Sequence, residues 1–188
     1  YISFVGRLGD VAMAAHQSLI AIESLGFIAA NGFGVAAGAL VAQKLGAGSP
    51  PDAAACGWLS AGLAVLVLGG VSILFLVFPR ALIGLFTTEA AVLVLGTQCL
   101  RVAAVAQPFM ALADAMAGAL RGAGDTRSPM VATVYGPLCV RLILCWTLAF
   151  TLDWGLLGIW IGTTVDWAVR AIFLLAVFRR GRWKSIQV

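Results

Sequence analysis

The chain has 188 residues, 62% hydrophobic and 11% charged, and its 12 Lys and Arg outweigh 8 Asp and Glu for a net charge of +4. Soluble domains run near 45–50% apolar and about 25% charged, so this composition excludes an ordinary soluble domain; it also excludes a disordered tail and a small disulfide scaffold. What remains is an all-α membrane-embedded bundle, in which a span takes about 20 residues, so that about five or six spans fill the chain.

Residues 1–9 read as the end of an earlier span, or its loop. Five apolar runs then predict helices at about 11–45, 53–78, 90–120, 130–152 and 154–178, making one transmembrane domain. The 53–78 run carries no charge at all and meets Pro79, a stop signal. The 11–45 run holds Gly26, Gly32, Gly34 and Gly38, and the 90–120 run holds Pro108, so both are expected to tilt, bend or extend beyond the membrane. Residues 179–188 form a basic tail with Arg179, Arg180, Arg182 and Lys184.

Lys and Arg are retained on the cytoplasmic side, which sets the orientation. A cytoplasmic tail places Lys44, Arg121, Arg127 and the tail residues inside and leaves Arg7 and Arg80 outside. The clustered basic residues therefore read as a cytoplasmic membrane-edge tail rather than as a nucleic-acid patch, and the short loops suit a bacterial inner membrane. Cys56, Cys99, Cys139 and Cys145 lie in apolar runs without CxxC spacing, so they read as small buried residues, with no metal site and no disulfide framework. Trp154, Trp160 and Trp183 stand near helix ends, where they suit an interfacial belt.

Glycines recur four apart at Gly34 and Gly38, Gly118 and Gly122, and Gly158 and Gly162. Such pairs let helix backbones approach closely in lipid. The turns AGAL (37–40) then GAGSP (46–50), and AGAL (117–120) then GAGD (122–125), also share glycine-rich chemistry at helix ends.

Chemistry is sought in the ionisable residues inside the runs, because each costs about 2.5–3.5 kcal/mol on insertion scales and so needs a partner, a watery cavity or a function. The acids are Glu23, Asp114 and Asp166; the bases are Arg101, Arg141 and Arg170. Asp166 and Arg170 are four apart on one helix, the spacing of an intrahelical ion pair, although a substrate or ion contact at Asp166 stays open. Asp114 has no base three or four positions away, so it either meets an arginine of another helix or holds a proton, a sodium ion or an ammonium group. Pro108 frees a backbone carbonyl that could serve the same cavity. Glu23 sits near Gln17, Ser18, Ser24 and Asn31, a polar set open to a substrate or ion contact or to interhelical hydrogen bonds. His16 is expected at the outer end of its helix in a solvated or hydrogen-bonded role, and Arg101 and Arg141 are expected to neutralise acids or snorkel. No HExxH, GxSxG, P-loop or paired DxxxD occurs, so no enzyme is expected and uphill transport would draw on an ion gradient or on a partner ATPase.

The segments AAHQ (14–17), LVAQKLGAG (40–48) and GALRGAGDTRSP (118–129) resemble the multidrug and toxic compound extrusion (MATE) family in order and spacing over essentially the whole length. The resemblance implies the C-terminal six-helix lobe of a twelve-helix transporter, its N-terminal lobe lying outside this sequence. It implies export of organic cations and other amphiphiles by exchange for sodium or protons, without a cofactor. It places an ion-coupling acid at Asp114 and the cytoplasmic turn at Arg121, Gly122, Asp125 and Arg127. Two rivals stay open: a flippase for a lipid-linked oligosaccharide or peptidoglycan precursor, and a non-transport membrane subunit.

Overall fold

The computed structural model describes residues 2–185; Tyr1 and the last three residues of the predicted tail lie outside the described residues. A short helix α1 (Ile2–Gly6) leads into α2 (Asp10–Gly46), α3 (Pro50–Val77), the small α4 (Pro79–Gly84) and α5 (Ala90–Gly122). The fourth span is α6 (Arg127–Tyr135) and α7 (Leu142–Trp146), joined and continued by wider π turns at Gly136–Arg141 and Thr147–Thr151. Helix α8 (Gly155–Arg180) closes the bundle. Five of these helical stretches are long and apolar enough to cross a membrane.

The expected spans are all present, with shifts at their ends that have local causes. Helix α3 begins at Pro50 rather than 53, because proline is tolerated at the first helical positions, where the missing N–H would have no partner. Pro79 ends α3 as expected but also opens α4, which the hydropathy pattern does not reveal. Pro137 accounts for the first π turn: its ring has no N–H and crowds the preceding carbonyl, so the helix widens there. Helix α8 runs to Arg180 and ends on Gly181 at φ 70°, and the chain folds back in a 3-10 turn at Arg182–Ser185. The first part of the predicted tail is therefore ordered structure. Trp183 stacks on Phe178 at 4.8 Å, and its indole N–H donates to the Phe178 carbonyl at 2.9 Å.

Glycine pairs carry the bundle. Gly34 and Gly38 of α2 face Gly118 and Gly122 of α5, in the same direction along both chains. A Cβ on Gly34 would lie 2.8 Å from the Asp114 carbonyl oxygen, and one on Gly38 would lie 2.9 Å from that of Gly118. The two helices thus run parallel and touch backbone to backbone, and the two AGAL segments meet each other. In α8, Gly158 faces the backbone of Leu148 and Gly162 faces Cys145, which makes α8 antiparallel to the fourth span. This alternation gathers Lys44, Arg121, Arg179 and Arg180 at one end of the bundle.

Pro108 exposes the carbonyl of Ala104, four residues earlier, which has no helical N–H to accept. Ser72 of α3 donates its hydroxyl to that oxygen at 2.7 Å. The freed carbonyl is therefore spent on helix packing, and the expectation that it serves an Asp114 cavity is corrected.

Candidate functional site

A cavity of about 300 Å³ opens between α2, α5, the fourth span and α8. Helix α2 presents His16, Ile20, Glu23, Ser24 and Phe27 to it, a set spaced three and four apart and hence on one face. Met110 of α5 and Arg141 of the fourth span complete one side; Trp160, Thr163 and Trp167 of α8 form the other. The lining is largely apolar and aromatic, with one acid and one guanidinium, the composition expected of a small-molecule pocket. The Oε1 oxygen of Glu23 is buried and accepts no hydrogen bond among the described residues.

Behind the cavity wall, Asp166 is fully buried. Arg141 donates its Nε–H to Asp166 Oδ2 at 2.9 Å and adds a second contact to the same oxygen at 2.8 Å. Arg170 donates its Nε–H to Oδ1 at 3.0 Å and a further N–H to Oδ2. The intrahelical pair expected at this spacing is present, but the carboxylate also reaches across to the fourth span. With both oxygens engaged and no exposed surface, Asp166 is a clasp between helices; the expectation of a substrate or ion contact there is corrected. Arg170 lies over the Trp167 ring at 4.1 Å, which fixes its plane. Gly136 seats the pair, since a Cβ there would lie 2.5 Å from Asp166 Oδ1 and 2.8 Å from Arg170 Cδ.

Asp114 stands one turn beyond Met110 on α5 and does not line the cavity. Its Oδ2 is buried and accepts no hydrogen bond among the described residues.

Several other expectations change. Gln17 and Asn31 are exposed and do not join Glu23 in the cavity: Gln17 sits on the neighbouring face of α2, and Asn31 lies one turn beyond Phe27, the last residue of α2 that lines it. His16 is 1% exposed and packs edge-on against Trp160 at 5.7 Å, so it is buried in the bundle rather than solvated. Trp160 and Trp183 are buried, which removes them from an interfacial belt; Trp154 is exposed as that role requires. Cys99 and Cys145 are buried as expected, whereas Cys56 is half-buried and Cys139 is exposed on the fourth span. Arg101 is exposed and has no ion pair among the described residues. At the turn, Asp125 accepts the Ser128 backbone N–H at 3.0 Å and its hydroxyl at 2.7 Å, capping α6, while Arg121 and Arg127 are exposed. Gly122 is placed there by its contact with Gly38.

The MatE family matches residues 1–147. The chain belongs to this family. Among curated relatives, the probable multidrug resistance protein NorM of Brucella suis is 35% identical over 181 residues, which is 94% of this chain and 38% of that protein. The protein of the same name from Thermotoga maritima is 32% identical, again over 94% of this chain and 38% of its own length. The chain thus spans less than half the length of the relatives it matches. A multidrug resistance MATE family transporter of the MOP superfamily, in its outward-facing conformation, superposes with a TM-score of 0.89 at 23% identity, over 100% of this chain and 42% of that one. The eukaryotic MATE transporter AtDTX14 gives 0.85 at 23% identity, covering 93% and 39%. These likenesses establish a MATE lobe fold. Of the residues that build the cavity from α8, Trp160 was read as interfacial, and Thr163 and Trp167 were not singled out in the sequence. Trp167, next to Asp166 in the middle of a span, was the available signal.

Proposed function

We propose that the chain is the C-terminal lobe of a secondary active exporter of organic cations or other amphiphiles, driven by exchange with sodium ions or protons. The carrying observation is Glu23, whose unpartnered buried oxygen stands at an aromatic-walled cavity of about 300 Å³. An acid among Trp rings attracts a cation by charge and by ring quadrupole. The second orphan carboxylate, Asp114, is the companion ion-coupling group. When a proton or sodium ion neutralises these acids, a cationic substrate loses its anchor. Exchange then follows if ion and substrate prefer opposite states of the two-lobed protein. The N-terminal lobe supplies the other half of the path, with the C-terminus of α8 on the cytoplasmic side of an inner membrane, as the gathered Lys44, Arg121, Arg179 and Arg180 favour.

The test is accumulation of a fluorescent organic cation in cells lacking their own efflux pumps and expressing the full-length parent. The proposal expects lower accumulation with the parent, restored to the empty-vector level by Glu23→Gln. Unchanged accumulation, with translocation of a fluorescent lipid-linked oligosaccharide instead, would establish the flippase reading.

A further inference from the structure

Away from the cavity, the C-terminal end of α8 carries a dense patch of positive charge. Arg179, Arg180, Arg182 and Lys184 follow one another closely and all are exposed. Of the acids at this end of the bundle, Asp125 is spent capping α6 and Asp52 is exposed in the first turn of α3. Neither forms an ion pair with Arg179, Arg180 or Lys184. The patch is also rigid. Gly181, at φ 70°, reverses the chain, and Trp183, only 1% exposed, stacks on Phe178 and pins the turn. The ammonium of Lys184 stands 5.6 Å from the centre of the Trp183 ring. A flexible tail would spread its charge over a surface, whereas an ordered one can grip a single anion without a further loss of chain entropy.

A neighbouring side chain marks the depth of the patch. Trp58 of α3 packs edge-on against Phe178 at 5.6 Å and keeps 43% of its surface exposed. Exposed tryptophans settle at headgroup level, so the last turn of α8 and its fold-back stand where lipid phosphates lie. Gly62 and Leu66 continue the exposed face of α3 from Trp58 at four-residue steps into the span. A Cβ on Gly62 would meet nothing within 4 Å, which leaves a trough between Trp58 and Leu66.

We propose that this edge of the bundle binds one anionic phospholipid. Arg179, Arg180 and Lys184 hold its phosphate, and an acyl chain lies along Trp58, Gly62 and Leu66. Charge selects the occupant: phosphatidylglycerol brings a net negative charge, whereas a zwitterionic headgroup brings its own cation to oppose the arginines. A free phosphate ion shares the headgroup's chemistry but leaves the trough empty. Each basic residue near an anionic lipid surface strengthens binding about fivefold. Only the spanning of a membrane is required, so lipid binding stands apart from the exporter reading and survives a failure of efflux.

The experiment is tryptophan quenching of the purified full-length parent in a neutral detergent, titrated with phosphatidylglycerol or phosphatidylcholine whose acyl chains carry bromine. Phosphatidylglycerol must reach half-quenching at a mole fraction at least tenfold below phosphatidylcholine; coincident curves overturn the proposal. The triple variant Arg179→Gln, Arg180→Gln, Lys184→Gln must lose that preference, and its retention overturns the site. Lys44→Gln with Arg127→Gln removes two charges elsewhere at the same end and must keep the preference; an equal loss means a diffuse basic rim and no site. Trp58→Phe must lower the amplitude of phosphatidylglycerol quenching, since an unchanged amplitude puts the lipid elsewhere. Inorganic phosphate at constant ionic strength must leave the phosphatidylglycerol curve in place, and displacement of the lipid by that ion contradicts a lipid site.

Discussion

Replacing Asp166 by Asn removes the anion that holds Arg141 and Arg170 together while keeping the side chain's size. Both guanidiniums then stay in the bundle with a neutral amide in place of a carboxylate that fills four donor contacts. Breaking a buried pair by removing one partner costs about 3–5 kcal/mol, mostly because a charge is left uncompensated. The arginine side chains keep 21% and 11% of their surface exposed, so solvent screens part of that loss and the lower end applies. A destabilisation of about 3 kcal/mol corresponds to roughly a hundredfold shift in the unfolding constant. The assay is unfolding of the full-length parent by sodium dodecyl sulfate in mixed micelles, followed by tryptophan fluorescence. The triple variant Asp166→Leu, Arg141→Met, Arg170→Met removes all the charges at similar volume and should unfold within about 1 kcal/mol of the parent. The reasoning fails if Asp166→Asn unfolds within about 0.5 kcal/mol of the parent, since that is the range of substitutions away from any structural feature.

Gly38→Leu should separate α2 from α5 and abolish recovery of monodisperse full-length protein, whereas Gly62→Leu, whose Cβ meets nothing within 4 Å, should be recovered at the parent's yield. Size-exclusion profiles decide it, and equal losses would contradict the backbone contact. Ser72→Ala should cost about 0.6 kcal/mol, the average for hydrogen bonds between membrane helices, and much less in a Pro108→Ala background, where an amide N–H at position 108 can take the Ala104 carbonyl. A double-mutant cycle with no coupling would remove proline as the cause. Trp183→Ala should lower the thermal midpoint of the full-length parent by unstacking Phe178 and leaving its carbonyl without the indole donor. Trp183→Phe keeps the stack and should recover part of the loss; a midpoint unmoved by either would refute the fold-back of the chain end.

The spans were legible because lipid demands long uninterrupted apolar runs, and the GxxxG pairs named the contacts that hold α2 to α5 and the fourth span to α8. Helix α4 was not, since six residues after a proline leave no periodic signal. The acids and bases inside the membrane were equally visible, and the spacing of Asp166 and Arg170 gave half of their clasp. Arg141 completes it from 25 positions away, a distance that no local pattern encodes. The fate of the Pro108 carbonyl is of the same kind: the proline predicts a free acceptor, but only the packing of α3 supplies Ser72. Gln17 and Asn31 show the converse. They share a helix and polarity with Glu23, yet Gln17 falls one face away and Asn31 one turn past the end of the cavity, and displacements of that size separate cavity from surface.

The most direct test of an ion-driven lobe centred on Glu23 and Asp114 is efflux of a fluorescent organic cation from proteoliposomes holding the full-length parent, with sodium and proton gradients imposed separately. Efflux driven by at least one gradient, and lost in both Glu23→Gln and Asp114→Asn, is the predicted result. Gradient-driven efflux that survives both substitutions would contradict it.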